Sequence, residues 1–157
     1  MEIIHYKKRD SKAVAAFFRE IFKELGWEER ESDYMNEPHK LFHLHDNGVI
    51  LLVKIDNKLI GTAGIILLSP SEGLMKRFYI NSEHRGTGVA QKLLHELIKK
   101  ARLLGVKKIV FDVARDNGRA IRFYEKSGFT RMHTTPRDGW TESFTPEGFF
   151  YFYKLID

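Results

Sequence analysis

The sequence predicts an α/β fold in which a mixed sheet contains one parallel β-α-β unit. Runs rich in Val, Ile and Leu alternate with segments whose apolar residues recur every three or four positions, the spacing of amphipathic helices. The polar turn at 56–58 separates two such runs and indicates a hairpin. A long helical pattern joins the apolar runs at 74–80 and 107–113, which is the usual connection between parallel strands.

The other elements follow in order along the chain. We expect strands at 2–6, 49–55, 59–67, 74–80, 107–113, 129–134 and 149–156. We expect helices at 11–25, 90–104 and 117–126, with one more short helix near 29–35 in a polar, ambiguous stretch. Asp10 and Ser11 stand where capping residues begin a helix. Gly26 and Gly105 each follow a predicted helix, where glycine commonly ends one.

Composition narrows the class of protein. The 157 residues fit a single domain spanning 1–157, and its 12 Phe, 6 Tyr and 2 Trp can fill a core. The chain has no cysteine, so disulfides, thiolate metal sites and a cysteine nucleophile are excluded. A net charge of +5 suits an anionic ligand: a phosphate-bearing cofactor, a nucleic acid or an acidic membrane. Neither a signal peptide nor an apolar run of about 20 residues is visible, so we expect a cytoplasmic protein.

The most informative stretch is the turn at 85–90, which reads Arg-Gly-Thr-Gly-Val-Ala between a predicted strand and a predicted helix. Gly86 and Gly88 let backbone amides approach a ligand closely, and the start of a helix offers unpaired N–H groups to an anion. A phosphate cradle and a simple packing turn both fit this pattern. Two competing phosphate motifs fail: the Walker Lys is absent, and Gln91 stands where the dinucleotide fingerprint needs a third Gly or Ala.

With its flanks, this turn resembles the GNAT superfamily of acyl-CoA-dependent N-acetyltransferases. Residues 85–90 match the family signature Q/R-x-x-G-x-G/A, and residues 117–129 match its second signature, N-x-x-A-x-x-[FL]-Y-x-[KR]-x-G-F. The resemblance is specific over about 59–129. It implies a mixed, mostly antiparallel twisted sheet of six to seven strands with a parallel pair at its centre, flanked by about four helices.

The resemblance also implies acetyl-CoA as co-substrate and no metal. In the family, the amides of the glycine turn hold the pyrophosphate, the edge of the preceding strand pairs with the pantetheine arm, and the motif asparagine binds the same arm. The implied cofactor-binding residues are Phe78, Tyr79, Ile80, Arg85, Gly86, Thr87, Gly88, Val89, Ala90, Asn117 and Tyr124. Candidates for the adenosine 3′-phosphate are Lys92, Arg119 and Arg122.

Two residues are the catalytic candidates. Tyr124 stands where the family places its general acid, and a phenol with a pKa of about 10 is protonated at neutral pH; a core aromatic is the alternative. Asp112 stands where one branch, the enzymes acetylating ribosomal-protein N-termini, has a glutamate base. A carboxylate satisfied by a neighbouring Arg or N–H is the alternative for Asp112. Glu72 and Glu83 are lesser candidates for the base.

Candidates for the acceptor site lie in three regions. Tyr34 and Trp140 fall in segments where this fold builds its acceptor pocket, although hydrophobic plugs explain them equally well. Of the neighbouring cations Lys76 and Arg77, strand alternation places one toward the substrate, which favours an acceptor bearing a carboxylate. A solvated strand edge is the equal alternative for this pair.

The remaining polar clusters do not point to another function. Among His39, His43 and His45, the pair His43 and His45 would share one face of a strand, but no third ligand stands at a fixed spacing from it. We therefore expect exposed loop histidines rather than a metal site. The basic runs at 7–9 and 99–100 come without any nucleic-acid motif, so we expect them to be solvated faces.

The expected function is therefore N-acetyl transfer. An acetyl group would move from acetyl-CoA to a primary amine by direct attack in a ternary complex, with the amine a small molecule or a peptide or protein amine. The alternative is a non-catalytic acyl-CoA-binding sensor or interaction module of the same fold. We expect neither nucleic acid nor membrane as a partner, while homodimerisation stays open.

Overall fold

A mixed β-sheet forms the centre of the computed structural model, which describes residues 1–43, 48–133 and 148–157. Within these residues the strands are β1 (Glu2–His5), β2 (Val49–Ile55), β3 (Lys58–Leu67), β4 (Glu72–Ile80), β5 (Lys108–Ala114), β6 (Thr130–Met132) and β7 (Phe149–Leu155). They form one sheet of seven strands in the order β1-β2-β3-β4-β5-β7-β6. Every neighbouring pair is antiparallel except β4 and β5, which are parallel. The predicted fold class is confirmed.

Helices cover both faces of this sheet. The described residues contain α1 (Ser11–Leu25), α2 (Pro38–His43), α3 (Val89–Leu103) and α4 (Gly118–Lys126). Helix α1 ends at Gly26, whose φ of 74° is a conformation that glycine adopts without the steric cost of a Cβ. Helix α3 connects the two parallel strands, as the long helical pattern predicted. No helix in the described part of the chain is long and apolar enough to cross a membrane.

Two apolar layers hold the helices against the sheet. Under α3 and α4 the layer includes the fully buried Leu93, Leu97 and Ile109. Under α1 and α2 it includes Phe18 and Phe42. Each such side chain contributes about 1.5–3 kcal/mol by leaving water. The central strands are therefore buried on both sides, and polar groups within them need a structural or functional reason.

The sheet is interrupted at its centre. Between the pairs Gly64–Lys76 and Thr62–Tyr79, strand β4 contains one residue more than β3, which is a β-bulge. Arg77 lies in this bulge with a φ of 56°. The parallel ladder between β4 and β5 ends at Leu74–Val110, although both strands continue. The continuing halves of β4 and β5 therefore flank an opening.

The stretch between α1 and β2 differs from its prediction. In place of one helix at 29–35, the chain forms a single 3-10 turn at Glu31–Asp33, and α2 follows at Pro38–His43. Tyr34 ends the turn with a φ of 48°, a left-handed conformation that cannot continue a helix. Proline favours the first position of a helix, which explains why α2 begins at Pro38. The stretch is polar and shows no helical periodicity, so neither the end of the turn at Tyr34 nor the start of α2 at Pro38 was predicted.

Candidate active site

The opening between β4 and β5 is flanked on one side by Tyr124. This residue of α4 is 6% exposed and packs with the core under α3 and α4. Its ring centroid lies 4.3 Å from that of Phe111 on β5 and 6.0 Å from that of Phe78 on β4. Burial raises the pKa of the Tyr124 phenol far above its ordinary value, and the neighbouring Tyr79 and Asp112 raise it further. Tyr124 is therefore a protonated hydrogen-bond donor at neutral pH, and also a core aromatic.

Asp112 flanks the opening from the other face of the sheet. Its neighbours in β5, Phe111 and Val113, belong to the layer under α3 and α4, so alternation places Asp112 on the opposite face, with Tyr151 across from it on β7. The Oδ2 atom is buried and lacks a hydrogen-bond partner among the described residues. Burial raises the pKa of Asp112 to about 6, while the nearby charge of Lys76 lowers it. This carboxylate is ionised at neutral pH and is able to accept a proton.

The glycine turn closes the end of β4 next to the opening. Gly86 and Gly88 have φ values of 75° and 88°, and a Cβ added at either would meet nothing within 4 Å. Gly88 caps helix α3 without any side-chain hydrogen bond to the first turn. The first amides of a helix have no partner within the helix, so those at the start of α3 can take an anion. The Thr87 hydroxyl donates to the His84 carbonyl, at 2.6 Å, and shapes the turn.

Arg85, the first residue of the turn, contacts protein groups. Its Nε donates to the Ile80 carbonyl at 3.0 Å, and its guanidinium pairs with Glu24 of α1. Arg119, at the start of α4, belongs to the same cluster: burial lowers its pKa, Arg85 lowers it further and Glu24 opposes both. Two cations and one carboxylate thus lie together beside the glycine turn.

The other implied cofactor-binding residues border the opening. Asn117 caps α4, where its Oδ1 accepts from the Ala120 amide at 3.3 Å, so its side-chain nitrogen is the group available to a ligand. In β4, Phe78 and Ile80 pack with the layer under α3, and Tyr79 packs with the layer under α1. Beyond Leu74 the β5-facing edge of β4 carries no described ladder.

The Arg77 guanidinium lies on the face of the sheet that α1 covers and already has protein partners. Its guanidinium lies 3.3 Å from Asp33 Oδ1 and 3.1 Å from the Asp33 carbonyl oxygen. It also lies over the rings of Phe18 and Phe22, at 4.9 and 5.0 Å, and its side chain is only 8% exposed. The charge expected to attract a substrate carboxylate is therefore compensated by Asp33. Tyr34, the neighbour of Asp33, is partly buried against the same layer.

The remaining candidates separate by position. Glu72 lies at the start of β4, 3.9 Å from Lys108, away from Tyr124. Lys92 borders a surface groove with Met1 and Ile3 beside β1, the far edge of the sheet from β5. Trp140 and His45 lie outside the described residues, as does the side chain of His43. His39 Nδ1 lies 3.5 Å from the Tyr6 hydroxyl.

Sequence reasoning missed three residues of this region. Glu24 and Asp33 hold the two arginines, and they come from helix and turn segments far along the chain. Thr62 is fully buried and donates from its hydroxyl to the Arg77 carbonyl at 2.7 Å. For Thr62, its position within the apolar run of β3 could have indicated a structural role, because a buried polar group needs a hydrogen-bond partner.

Comparisons with known proteins identify the family of the chain. Residues 14–129 match the family model described as acetyltransferase (GNAT) family. An uncharacterized N-acetyltransferase of Mycobacterium bovis is 28% identical over 100 residues, which cover 64% of this chain and 59% of that protein. The chain thus spans about three fifths of that relative's length.

Solved structures share the fold over nearly the whole chain. A GNAT-family acetyltransferase from Staphylococcus aureus Mu50 superposes with a TM-score of 0.83 at 21% identity, covering 99% of both chains. An aminoglycoside 6′-N-acetyltransferase complexed with coenzyme A has a TM-score of 0.74 at 15% identity, covering 100% of this chain and 98% of that one. From the family model, which matches most of the chain, we conclude that the protein belongs to the acetyltransferase (GNAT) family.

Proposed function

We propose that this protein transfers an acetyl group from acetyl-CoA to a primary amine by direct attack in a ternary complex. The observation that carries the proposal is the opening between β4 and β5, with Tyr124 on one face of the sheet and Asp112 on the other. The glycine turn lies at the end of β4, which leads to the same opening. A thioester held there would lie between a proton donor and a proton acceptor.

The cofactor-binding part of the proposal rests on the glycine turn, the β5-facing edge of β4 and two side chains at the start of α4. The space beside Gly86 and Gly88 is open, and the turn amides from Gly86 to Ala90 would hold the pyrophosphate. The β5-facing edge of β4 at 78–80 would pair with the pantetheine arm as an added strand, and the Asn117 side-chain nitrogen would donate to the same arm. Arg119 would reach a phosphate of the nucleotide, because it already lies in the cationic cluster beside the turn.

The chemistry follows from the two titratable groups. Acetyl-CoA supplies the activated acyl group, and the enzyme places it beside the amine. Asp112 takes a proton from the amine, directly or through water, and the amine nitrogen forms a bond to the thioester carbon. The C–S bond then breaks, Tyr124 donates its proton to the departing sulfur, and the second proton, which the nitrogen releases as it becomes an amide, returns to the Tyr124 oxygen. A thiol has a pKa of about 8.5, so this acid assists a departure that is already favourable.

The acceptor in the proposed reaction is a primary amine. Arg77 is neutralised by Asp33, so the carboxylate preference expected for it loses its support. The buried Asp112 carboxylate instead favours a basic amine, which is protonated in solution and must lose a proton before it attacks. Aliphatic amines with a pKa of about 10.4 and peptide α-amines with a pKa of about 8 both meet this requirement.

Two measurements test the proposal. The melting temperature should rise with acetyl-CoA, because a ligand that binds only the folded state stabilises it. Release of free thiol from acetyl-CoA is then followed with polyamine, amino acid, aminoglycoside, lysine and peptide N-terminal acceptors. Thiol release with at least one amine supports the enzyme. Acetyl-CoA binding without turnover on any acceptor would favour the non-catalytic sensor, and no binding would refute both functions.

A further inference from the structure

Thr62 is an unusual residue for its position. It lies within the apolar strand β3 and is 0% exposed, and Asp10 is the only other described polar or charged residue whose backbone and side chain together are buried. Asp10 is held by the Lys7 amide and by Lys54. The Thr62 hydroxyl instead donates to the carbonyl oxygen of Arg77 at 2.7 Å. The hydroxyl of Thr62 is therefore committed to the bulge residue of the neighbouring strand.

The bulge is held from two directions. Thr62 binds the carbonyl of Arg77, while Asp33 and the rings of Phe18 and Phe22 hold its guanidinium. A positive φ at a residue with a long side chain is strained and persists only where the surroundings enforce it. These contacts fix the orientation of the peptide group between Arg77 and Phe78.

That orientation decides where the next amide points. The described residues contain no cis peptide bond, and in a planar trans peptide the C=O and N–H groups point in opposite directions. The Arg77 carbonyl is directed to Thr62 on β3, so the N–H of Phe78 is directed away from β3. On that side of β4 the next strand is β5, whose ladder to β4 has already ended at Leu74. The Phe78 amide therefore faces the opening.

We propose that Thr62 is a positioning residue for acetyl transfer, because its hydrogen bond to the Arg77 carbonyl aims the Phe78 amide at the thioester carbonyl oxygen. The inference rests on the function proposed above. When the amine nitrogen bonds to the carbonyl carbon, negative charge collects on that oxygen, and an amide already aimed at it needs no reorientation. The C=O double bond re-forms from an electron pair of that oxygen as the C–S bond breaks, and the sulfur leaves with the C–S pair and takes the Tyr124 proton.

Three substitutions separate the hydroxyl of Thr62 from its packing. Thr62→Val keeps the shape and removes the donor, Thr62→Ser keeps the donor, and Thr62→Cys lacks the methyl group, as serine does, and has a much weaker donor. The first readout is the carbonyl stretch of acetyl-CoA labelled with ¹³C at the carbonyl carbon, bound without any acceptor. The second is kcat with the amine that the wild type acetylates fastest, measured beside the acetyl-CoA Kd.

We expect the bound carbonyl stretch to lie at lower frequency in the wild type and Thr62→Ser than in Thr62→Val. We also expect kcat to fall at least about tenfold in Thr62→Val with little change in the acetyl-CoA Kd, to stay near wild type in Thr62→Ser, and to lie between in Thr62→Cys. Serine and valine variants with equal frequencies and equal kcat would overturn the role of Thr62. If the valine variant does not fold, the cysteine variant is compared with serine by the same criteria. A wild type that fails to bind acetyl-CoA would overturn the proposed function itself.

Discussion

Glu24, in the last turn of α1, forms an ion pair with Arg85 of the glycine turn, so the helix on one face of the sheet is joined to the loop that begins α3 on the other. The hydrogen bond from Arg85 lowers the pKa of the Glu24 carboxyl, which is therefore ionised at neutral pH. The Glu24 carboxylate thus already pairs with the Arg85 guanidinium, which lies beside the position proposed for the pyrophosphate. A bound phosphate and Glu24 would compete for the same guanidinium.

Removing this carboxylate should strengthen acetyl-CoA binding. In Glu24→Gln the negative charge near the proposed phosphate position is lost and Arg85 is released, so we expect the acetyl-CoA Kd to fall about three- to tenfold, as measured by calorimetry. The difference should shrink at high salt, where charges are screened. Glu20→Gln, an exposed charge on the same helix, is the matched control and should leave Kd unchanged. Equal Kd values for the two variants would contradict the competition.

The ionisation of Asp112 should govern the acidic side of the pH–rate profile. Its pKa is raised to about 6 by burial, and only the carboxylate accepts a proton. We therefore expect kcat/KM to be low below pH 6 and to rise to a plateau as the pH increases through this value. Asp112→Asn should lower kcat about 100-fold or more and should abolish the rise of kcat/KM around pH 6. Asp116 is an exposed carboxylate in the turn after β5, and Asp116→Asn should keep the wild-type kcat and the rise of kcat/KM around pH 6.

The phenol of Tyr124 should act on the rate rather than on binding. In Tyr124→Phe the ring stays in its aromatic cluster and only the proton donor is lost. We expect kcat to fall by about 10- to 100-fold, because the sulfur of coenzyme A must then leave as a thiolate without a proton from Tyr124. The acetyl-CoA Kd should change little. Tyr153→Phe removes a hydroxyl from β7 and serves as the control. Unchanged kcat in Tyr124→Phe would remove Tyr124 from catalysis.

A side chain at Gly88 should damage cofactor binding through the backbone. Alanine at a φ of 88° costs about 1 kcal/mol of strain, and any relaxation of that strain moves the amides at the start of α3. We expect Gly88→Ala to weaken acetyl-CoA binding about tenfold or more. Gly26→Ala has a φ of 74° and equally open surroundings at the end of α1. It should lose similar stability on urea unfolding but bind acetyl-CoA as the wild type does.

Local patterns were sufficient to predict most of the fold. The apolar stripe of α1, the hairpin turn at 56–58 and the long helix between two apolar runs each depend on neighbouring residues, and all three were predicted. The stretch before β2 was predicted incorrectly, since its short turns depend on the left-handed backbone at Tyr34.

The geometry of the candidate site could be predicted only in part, because its contacts join residues that are distant in the sequence. Tyr124 and the glycine turn stand in motifs, so their positions could be read directly. Asp33 and Arg77 are 44 residues apart in the chain, and Glu24 and Arg85 are 61 apart. No local pattern encodes such pairs, and a bulge at Arg77 follows from the register of two strands rather than from either strand alone.

The most direct test of the account is the crystal structure of the protein with coenzyme A. The account predicts the pyrophosphate on the amides from Gly86 to Ala90, the pantetheine arm along β4, and the sulfur within hydrogen-bonding reach of the Tyr124 hydroxyl. Coenzyme A bound elsewhere, or protein side chains filling the space between β4 and β5, would contradict it.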